Sequence, residues 1–267
     1  MKCVVIGAGG HGRVVLDILI RAGQHDPVGF LDSDPRLLGR RVDGRRILGD
    51  LDDLSRLVAE HGIAGAVVAI GNNGVRREFA ERIEALGMVL INAIHPSANI
   101  APSAILGRNV VVAAGALVCA HCAIGDSVIL NTGCIIDHET MIGTASHICP
   151  GARLAGRVTV ESGAFVGIGA TIIQNIRVGC EATIGAGAVV INDVDALDTV
   201  VGVPARPAAK AAPAISTASV SERPLTASQA LAPVPGPLPD GRATDRGPAL
   251  HVDCPDAPAP DTVLASS

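Results

Sequence analysis

Residues 118–171 read VCAHCA IGDSVI LNTGCI IDHETM IGTASH ICPGAR LAGRVT VESGAF VGIGAT, nine six-residue units with no slip of frame. The frame extends on both sides, from Ile94 to Asp195, for about seventeen units. Every unit opens on Ile, Leu or Val. The fifth position is small or β-branched: Ala98, Ala104, Val110, Ala116, Cys122, Val128, Cys134, Thr140, Ser146 and Ala152, with a bulkier Ile176 later. A period of six suits neither a helix of 3.6 residues per turn nor the two-residue alternation of a strand. It suits a coil of three short flat strands, in which three units close one triangular turn. The first position then points inward and stacks on its equivalent about eighteen residues away. The fifth also points inward, near a corner, and must be small. Seventeen units make about five to six coils.

The composition agrees with this. The chain has 267 residues, enough for two ordinary domains. It is 48% hydrophobic but only 1% aromatic, with no Trp or Tyr, so its core must be built from Val, Ile, Leu and Ala. A net charge of -5 leaves no basic surface for nucleic acid. No run approaches the roughly twenty apolar residues of a membrane span. The opening MKCVVIGAGG lacks the ordered regions of a signal peptide and reads as a strand and turn. Seven cysteines without paired spacing are expected to be reduced thiols, and the protein cytoplasmic. Cys119 and Cys122 form a CxxC, but Cys122 faces the core.

Before the repeat, residues 2–6 read as a buried strand and 13–22 as a helix, joined by Gly7-Ala8-Gly9-Gly10-His11-Gly12. Gly7, Gly9 and Gly12 match GxGxxG, which lets backbone approach a phosphate at a helix N-terminus. A second strand over 27–31 ends at Asp32, where a dinucleotide fold places a ribose-binding acid. A helix over 51–61 and a third strand over 65–70 lead to Gly71-Asn72-Asn73, at a strand end that faces the ligand crevice. A helix opening at Arg76 and a strand over 88–92 complete about 90 residues, a Rossmann-like half domain too short for bound NAD. The expected organisation is 1–92 a nucleotide-binding Rossmann-like half domain, 93–210 coil, and 211–267 a disordered Ala- and Pro-rich tail.

The coil needs only its first and fifth positions, so the other side chains are free for chemistry. His121, His138 and His147 fall among these, and His138 stands between Asp137 and Glu139. Residue 120 stacks on 138, so His121 and His138 share a corner. A histidine beside a carboxylate is a general base with a fixed tautomer.

GAGGHG near the start, AIGNNGVRR, IHPSA, NTGCIIDHE, SHICPGARLAG and VGVPAR together resemble the NeuD/PglD family of sugar O- and N-acetyltransferases, over nearly all of residues 1–206. The resemblance implies a left-handed parallel β-helix after the α/β half domain, acetyl-CoA as co-substrate, no metal, and a homotrimer with active sites between subunits. It puts the catalytic base on His138 with Glu139 as its partner, and the motif's Asn on Asn131. It puts His147 near the acetyl-CoA thioester. Gly9, Gly10, His11, Asp32, Asn72 and Asn73 fall where the nucleotide-sugar is held. Gly167, Ala186, Gly202, Pro204 and Arg206 fall in the coenzyme A groove. Asp137 departs mildly from the family, some of whose members have Glu, and the tail after Lys210 lies outside the pattern. The expected reaction is direct N-acetylation of the 4-amino group of a UDP- or GDP-linked 4-amino-4,6-dideoxy sugar for surface glycan synthesis. The alternatives are O-acetylation of a sialic acid-type sugar, a zinc-dependent carbonic anhydrase-like β-helix built on the three histidines, and a non-catalytic nucleotide-sugar sensor.

Overall fold

The computed structural model describes residues 1–208, and the tail expected over 211–267 lies outside them. The α/β part comprises β1 (Lys2–Ile6), α1 (Gly10–Ala22), β2 (Asp26–Leu31), β3 (Arg41–Val42), β4 (Arg45–Gly49), α2 (Leu54–His61), β5 (Gly65–Val68), α3 (Asn73–Ala85) and β6 (Val89–Leu90). Its sheet runs β3-β4-β2-β1-β5-β6. All pairings are parallel except the β3–β4 hairpin. Sequence reading passed over that hairpin, although Asp43-Gly44 at its tip, both at positive φ, is a strong two-residue turn signal. Cys3, Val4, Val5 and Ile6 are fully or nearly fully buried, as the centre of a parallel sheet covered on both faces requires. The chain leaves β1 for β2 on one side and reaches β5 on the other, so a crevice opens at the carboxyl ends of β1, β2 and β5.

From Ala93 the chain coils. Two-residue strands form three parallel sheets, and each strand pairs with the one eighteen residues on, as in Ala93↔Val111↔Ile129↔His147↔Phe165↔Thr183. We call the sheet containing these residues the first face. The second contains Leu117↔Ile135↔Arg153, and the third Ala123↔Met141↔Thr159. The inward positions behave as read. Val112, Val118, Leu130, Ile136, Ile148 and Val166 are completely buried, as are Ala116, Cys134, Thr140, Ser146 and Ala152 at the corners.

A further positional requirement was not legible. The fourth residue of every unit from Asn109 to Gly187 has positive φ. At the first corner, between faces one and two, these residues are Gly115, Gly133, Gly151, Gly169 and Gly187. At the second corner they are His121, Glu139, Arg157 and Asn175, and at the third Asn109, Ser127, Ala145, Gly163 and Glu181, with φ of 55–61° for the non-glycine residues. Such conformers cost on the order of 1–3 kcal/mol each and persist where the surroundings over-determine them, as eighteen-residue stacking does here.

The two parts share a core. On the outer side of the first face, Ala93, Val111, Ala113 and Ile129 pack with Val15, Leu16, Ile18 and Leu19 of α1. Gly23 stops α1 at φ 66°, donating its N–H to the Leu19 carbonyl. At its far end the coil closes with Thr199–Val201 on the first face, paired antiparallel with Arg206–Pro207. No helix among the described residues is long and apolar enough to cross a membrane. Cys3, Cys119, Cys122, Cys134 and Cys149 are free thiols.

Candidate active site

A crevice of about 510 Å³ lies at the carboxyl end of the α/β sheet, lined by Gly9, Gly10, His11, Asp32, Gly71 and Val75 among others. Gly7 and Gly12 are there for steric reasons. Gly7 sits at φ 99°, and any Cβ on Gly12 would collide with the Gly7 carbonyl. A Cβ on Gly9 or Gly10 would meet nothing, so the backbone at the start of α1 faces open space. The first-turn N–H groups of a helix have no intrahelical partner, and here they are available to an anion. Asp32 does more structural work than the reading assigned. One oxygen accepts from the Ala8 N–H (2.8 Å) and the other from the Asp34 N–H (2.9 Å), which locks the glycine turn. Asn72 caps α3 by accepting from the Val75 N–H (3.0 Å). Asn73 turns away from the crevice and donates to the Gly163 carbonyl of the coil (2.8 Å).

His147 stands on the first face, buried beneath the α/β part. Its ring meets Phe165 edge-on at 5.3 Å and His11 at 6.5 Å between centroids. The Asn131 side-chain oxygen accepts from the Thr132 N–H (2.8 Å), so its NH₂ faces Nε2 of His147 (3.2 Å). Nε2 must therefore accept, and the proton of the neutral ring sits on Nδ1. Nδ1 of His147 and Nε2 of His11 are buried without a hydrogen-bond partner. Burial pushes the pKa of His147 down to about 3 and that of His11 to about 4, with the Arg76 charge a further cause in both. Both rings are neutral at physiological pH. Arg76, fully buried, donates to the carbonyls of Ile70, Gly71, Ser127 and Ala145. Its place in AIGNNGVRR, at the start of a helix, does not mark it as buried.

His138 and Glu139 occupy the second corner, together with His121. Nδ1 of His138 lies 3.2 Å from the Glu139 carboxylate, which is itself 3.5 Å from Nε of Arg157. The preceding Asp137 accepts from the His138 backbone N–H (2.7 Å). Both side chains of the pair are about half exposed, at 49% and 54%. The ring of His138 rests on Gly156, one coil further on, where a Cβ would come within 2.5 Å of Cε1 and Nε2. Gly156 was missed, although its spacing of eighteen from His138 marks it.

The structure gathers Asn131, Gly167, Ala186 and the Gly202–Arg206 turn on the first corner. Val189 of the second face donates its N–H to the Gly202 carbonyl (3.0 Å), which fixes that turn. The positive-φ glycines Gly133, Gly151, Gly169 and Gly187 leave this edge open, since a Cβ on any of them would meet nothing. Asn131, one motif with His138 in sequence, lies at a different corner from it. It joins His147, one face away from the proposed base. His121 and His138 share a corner that His147 does not, and among the described residues no three His, Cys, Asp or Glu form a group able to hold a metal ion.

The profile of the PglD N-terminal domain matches residues 2–83. A histidine-to-asparagine variant of perosamine N-acetyltransferase from Caulobacter crescentus, solved with CoA and GDP-perosamine, is 38% identical, with a TM-score of 0.75 over 78% of this chain and 97% of that one. The acetyltransferase domain of PglB from Neisseria gonorrhoeae FA1090, solved with acetyl coenzyme A, is 39% identical, with a TM-score of 0.72 over 78% of this chain and 98% of that one. Among curated proteins, the redox-sensing transcriptional repressor Rex of Thermotoga petrophila is 35% identical over 89 residues, 33% of this chain and 42% of the repressor. UDP-N-acetylbacillosamine N-acetyltransferase of Bacillus subtilis is 34% identical over 111 residues, 41% of this chain and 50% of that enzyme. The chain thus spans half or less of the length of these two curated relatives.

Proposed function

The chain belongs to the NeuD/PglD family of sugar acetyltransferases, whose coil is a left-handed β-helix, and on that premise we propose that it acetylates the 4-amino group of a GDP- or UDP-linked 4-amino-4,6-dideoxy sugar. The proposal includes His138 as general base, a cytoplasmic homotrimer and a role in surface glycan synthesis. The α/β part, residues 1–92, holds the nucleotide-sugar, and the coil over 93–210 holds acetyl-CoA.

The observation that carries this reading is the His138–Glu139 pair, exposed at a corner and seated on Gly156. Acetyl-CoA supplies an activated acyl carbonyl. The sugar amine attacks it, and His138 takes the proton the amine must lose as the new C–N bond forms and the coenzyme thiolate leaves. Glu139, on Nδ1, holds the tautomer that leaves Nε2 free to accept and stabilises the imidazolium that results. The open glycine edge of the first corner suits an extended coenzyme arm, because backbone there can be approached without side-chain collision.

Two features support assembly. Within one chain the base lies at the second corner and the open edge at the first, so a copy must bring one to the other. Ile105 and Met141 on the outside of the third face are 46% and 41% exposed, and they flank the corner that bears His138. A β-helix that leaves such side chains uncovered gains by packing against copies of itself. The Caulobacter relative was solved with GDP-perosamine and the Bacillus relative is named for a UDP-sugar, so both nucleotides stand as candidates. Incubation with acetyl-CoA and GDP-linked amino-sugar, UDP-linked amino-sugar or free sialic acid, followed by thiol release and product mass, tests the reading. Gain of one acetyl group on a nucleotide-linked amine is expected. Transfer only to sialic acid would overturn the acceptor, and no transfer would overturn the function.

A further inference from the structure

The third corner of the coil is a docking rail. In five successive coils the fourth residue of the unit there contacts the α/β part directly or through the next coil. Asn109 accepts from the Val68 N–H (2.8 Å) and donates to the Ser127 hydroxyl (3.0 Å). The Ser127 carbonyl accepts from Arg76 Nε (2.7 Å), and the Ala145 carbonyl from Arg76 Nη2 (2.8 Å). The Gly163 carbonyl accepts from Asn73 (2.8 Å), and the Glu181 carboxylate pairs with Arg77 (2.5 Å). The residues on the α/β side are the end of β5 and the first turn of α3. That same segment, through Ile70, Gly71 and Val75, forms one wall of the crevice.

Arg76 sits at the centre of this rail. It is 0% exposed. On the α/β side it holds the carbonyls of Ile70 (2.9 Å) and Gly71 (3.2 Å) and the side-chain oxygen of Asn73 (2.8 Å). On the coil side it holds Ser127, Ala145 and Ser146 (3.3 Å), the last two immediately before His147. The two parts already share an apolar core, so this buried cation is not needed merely to join them. A planar fork of five donors fixes the direction of every acceptor around it, which neither an apolar contact nor the single ammonium of lysine can do.

We propose that Arg76 is a positioning residue for acetyl transfer, tying the crevice wall at Ile70–Gly71 to the coil segment that carries His147 and so fixing where a nucleotide-bound acceptor lies relative to the coil. The proposal rests on the acetyltransferase reading. Displacement of reacting groups by about 1 Å costs on the order of 10²-fold in rate, while the open glycine turn at the start of α1, which Arg76 does not touch, stays available to the nucleotide phosphates.

The test uses full-length Arg76→Lys and Asn73→Ala beside the wild type. It reads thermal unfolding, the Kd of GDP and UDP, kcat and KM for acetyl transfer, and amide hydrogen exchange. Arg76→Lys is expected to fold and to keep nucleotide Kd within about threefold, while kcat falls about 100-fold. Exchange should quicken together at residues 70–76 and 144–147. A folded Arg76→Lys with wild-type kcat overturns the proposal, as does a loss confined to Kd and KM. Should Arg76→Lys fail to fold, Asn73→Ala decides. It leaves the backbone carbonyl acceptors of Arg76 in place but removes both the Asn73 side-chain acceptor of Arg76 and the tie to Gly163, and a kcat loss of about tenfold is expected, with wild-type kcat overturning the proposal. A wild type inactive on every acceptor overturns the acetyltransferase reading alone. The exchange readout then still judges the coupling: joint loss of protection in the two segments supports it, and loss in only one, or in neither, refutes it.

Discussion

Replacing Gly156 by Ala adds one methyl group whose three nearest atoms are all in the ring of the proposed base. The new Cβ would stand 2.5 Å from both Cε1 and Nε2 of His138, against 3.4–4 Å for an ordinary contact. The imidazole must retreat by about 1 Å or swing off the corner, and such a displacement costs on the order of 10²-fold in rate. Stability should not follow. Gly156 is not among the positive-φ residues, so its backbone accepts alanine. The His138 ring is about half exposed and can move into solvent at little cost. Relief of chain entropy in the unfolded state offsets the contact by about 0.4–1 kcal/mol. The assay is steady-state acetyl transfer beside thermal unfolding. The expected outcome is kcat down about 100-fold with an unchanged or slightly raised Tm. Wild-type turnover in a folded Gly156→Ala would refute the seating of His138 on Gly156, or its role as base.

Two further outcomes follow from buried groups. The folded pKa values of His11 and His147 lie far below the ordinary 6.5. Between about pH 4 and 6.5 the unfolded chain therefore binds more protons than the folded one, and the stabilisation present above that window is lost as the pH falls, by up to about 1.4 kcal/mol per pH unit for each ring. Urea unfolding from pH 7 to 4.5 should show this slope, and His147→Asn should remove about half of it, whereas an unchanged slope would show that His147 is not held neutral. Asn109→Ala leaves the buried Val68 N–H without its acceptor and puts a β-carbon residue without side-chain polar contacts at φ 57°. The expected loss is about 2–4 kcal/mol, read as a drop in the urea midpoint, and a change below about 0.5 kcal/mol would deny the rail its polar contact.

The coil was legible because its requirement is steric and periodic. An inward first position and a small fifth position select residue types at fixed spacing; every first position from Val118 to Val190 obeys, and among the fifth positions Ile176 is the bulkier departure. The positive-φ fourth position was not legible, because stacking enforces it on residues as different as His121, Ala145 and Glu181. The docking rail was hidden for a related reason: most of its acceptors on the coil are backbone carbonyls, which any side chain leaves unchanged. Arg76 looked like an ordinary residue at a helix start, and only the fold brings it against residues 127 and 145. Asp32 was read from its place in a nucleotide-binding unit, but its carboxylate holds the glycine turn through Ala8 and Asp34. The His138–Glu139 contact needed no tertiary information, because the two are adjacent. Asn131 shared their motif and went to His147, since the six residues between Asn131 and His138 carry the chain round one face of the triangle.

The most direct measurement of the central claim is the rate of thiol release from acetyl-CoA with GDP- and UDP-linked 4-amino-4,6-dideoxy sugars, for the wild type and His138→Ala. General base action contributes typically about 10²–10⁴-fold. The account predicts acetyl transfer to at least one of these amines by the wild type, and a kcat lower by that factor in the variant with KM little changed. Full turnover by His138→Ala, or no transfer to either amine by the wild type, would contradict it.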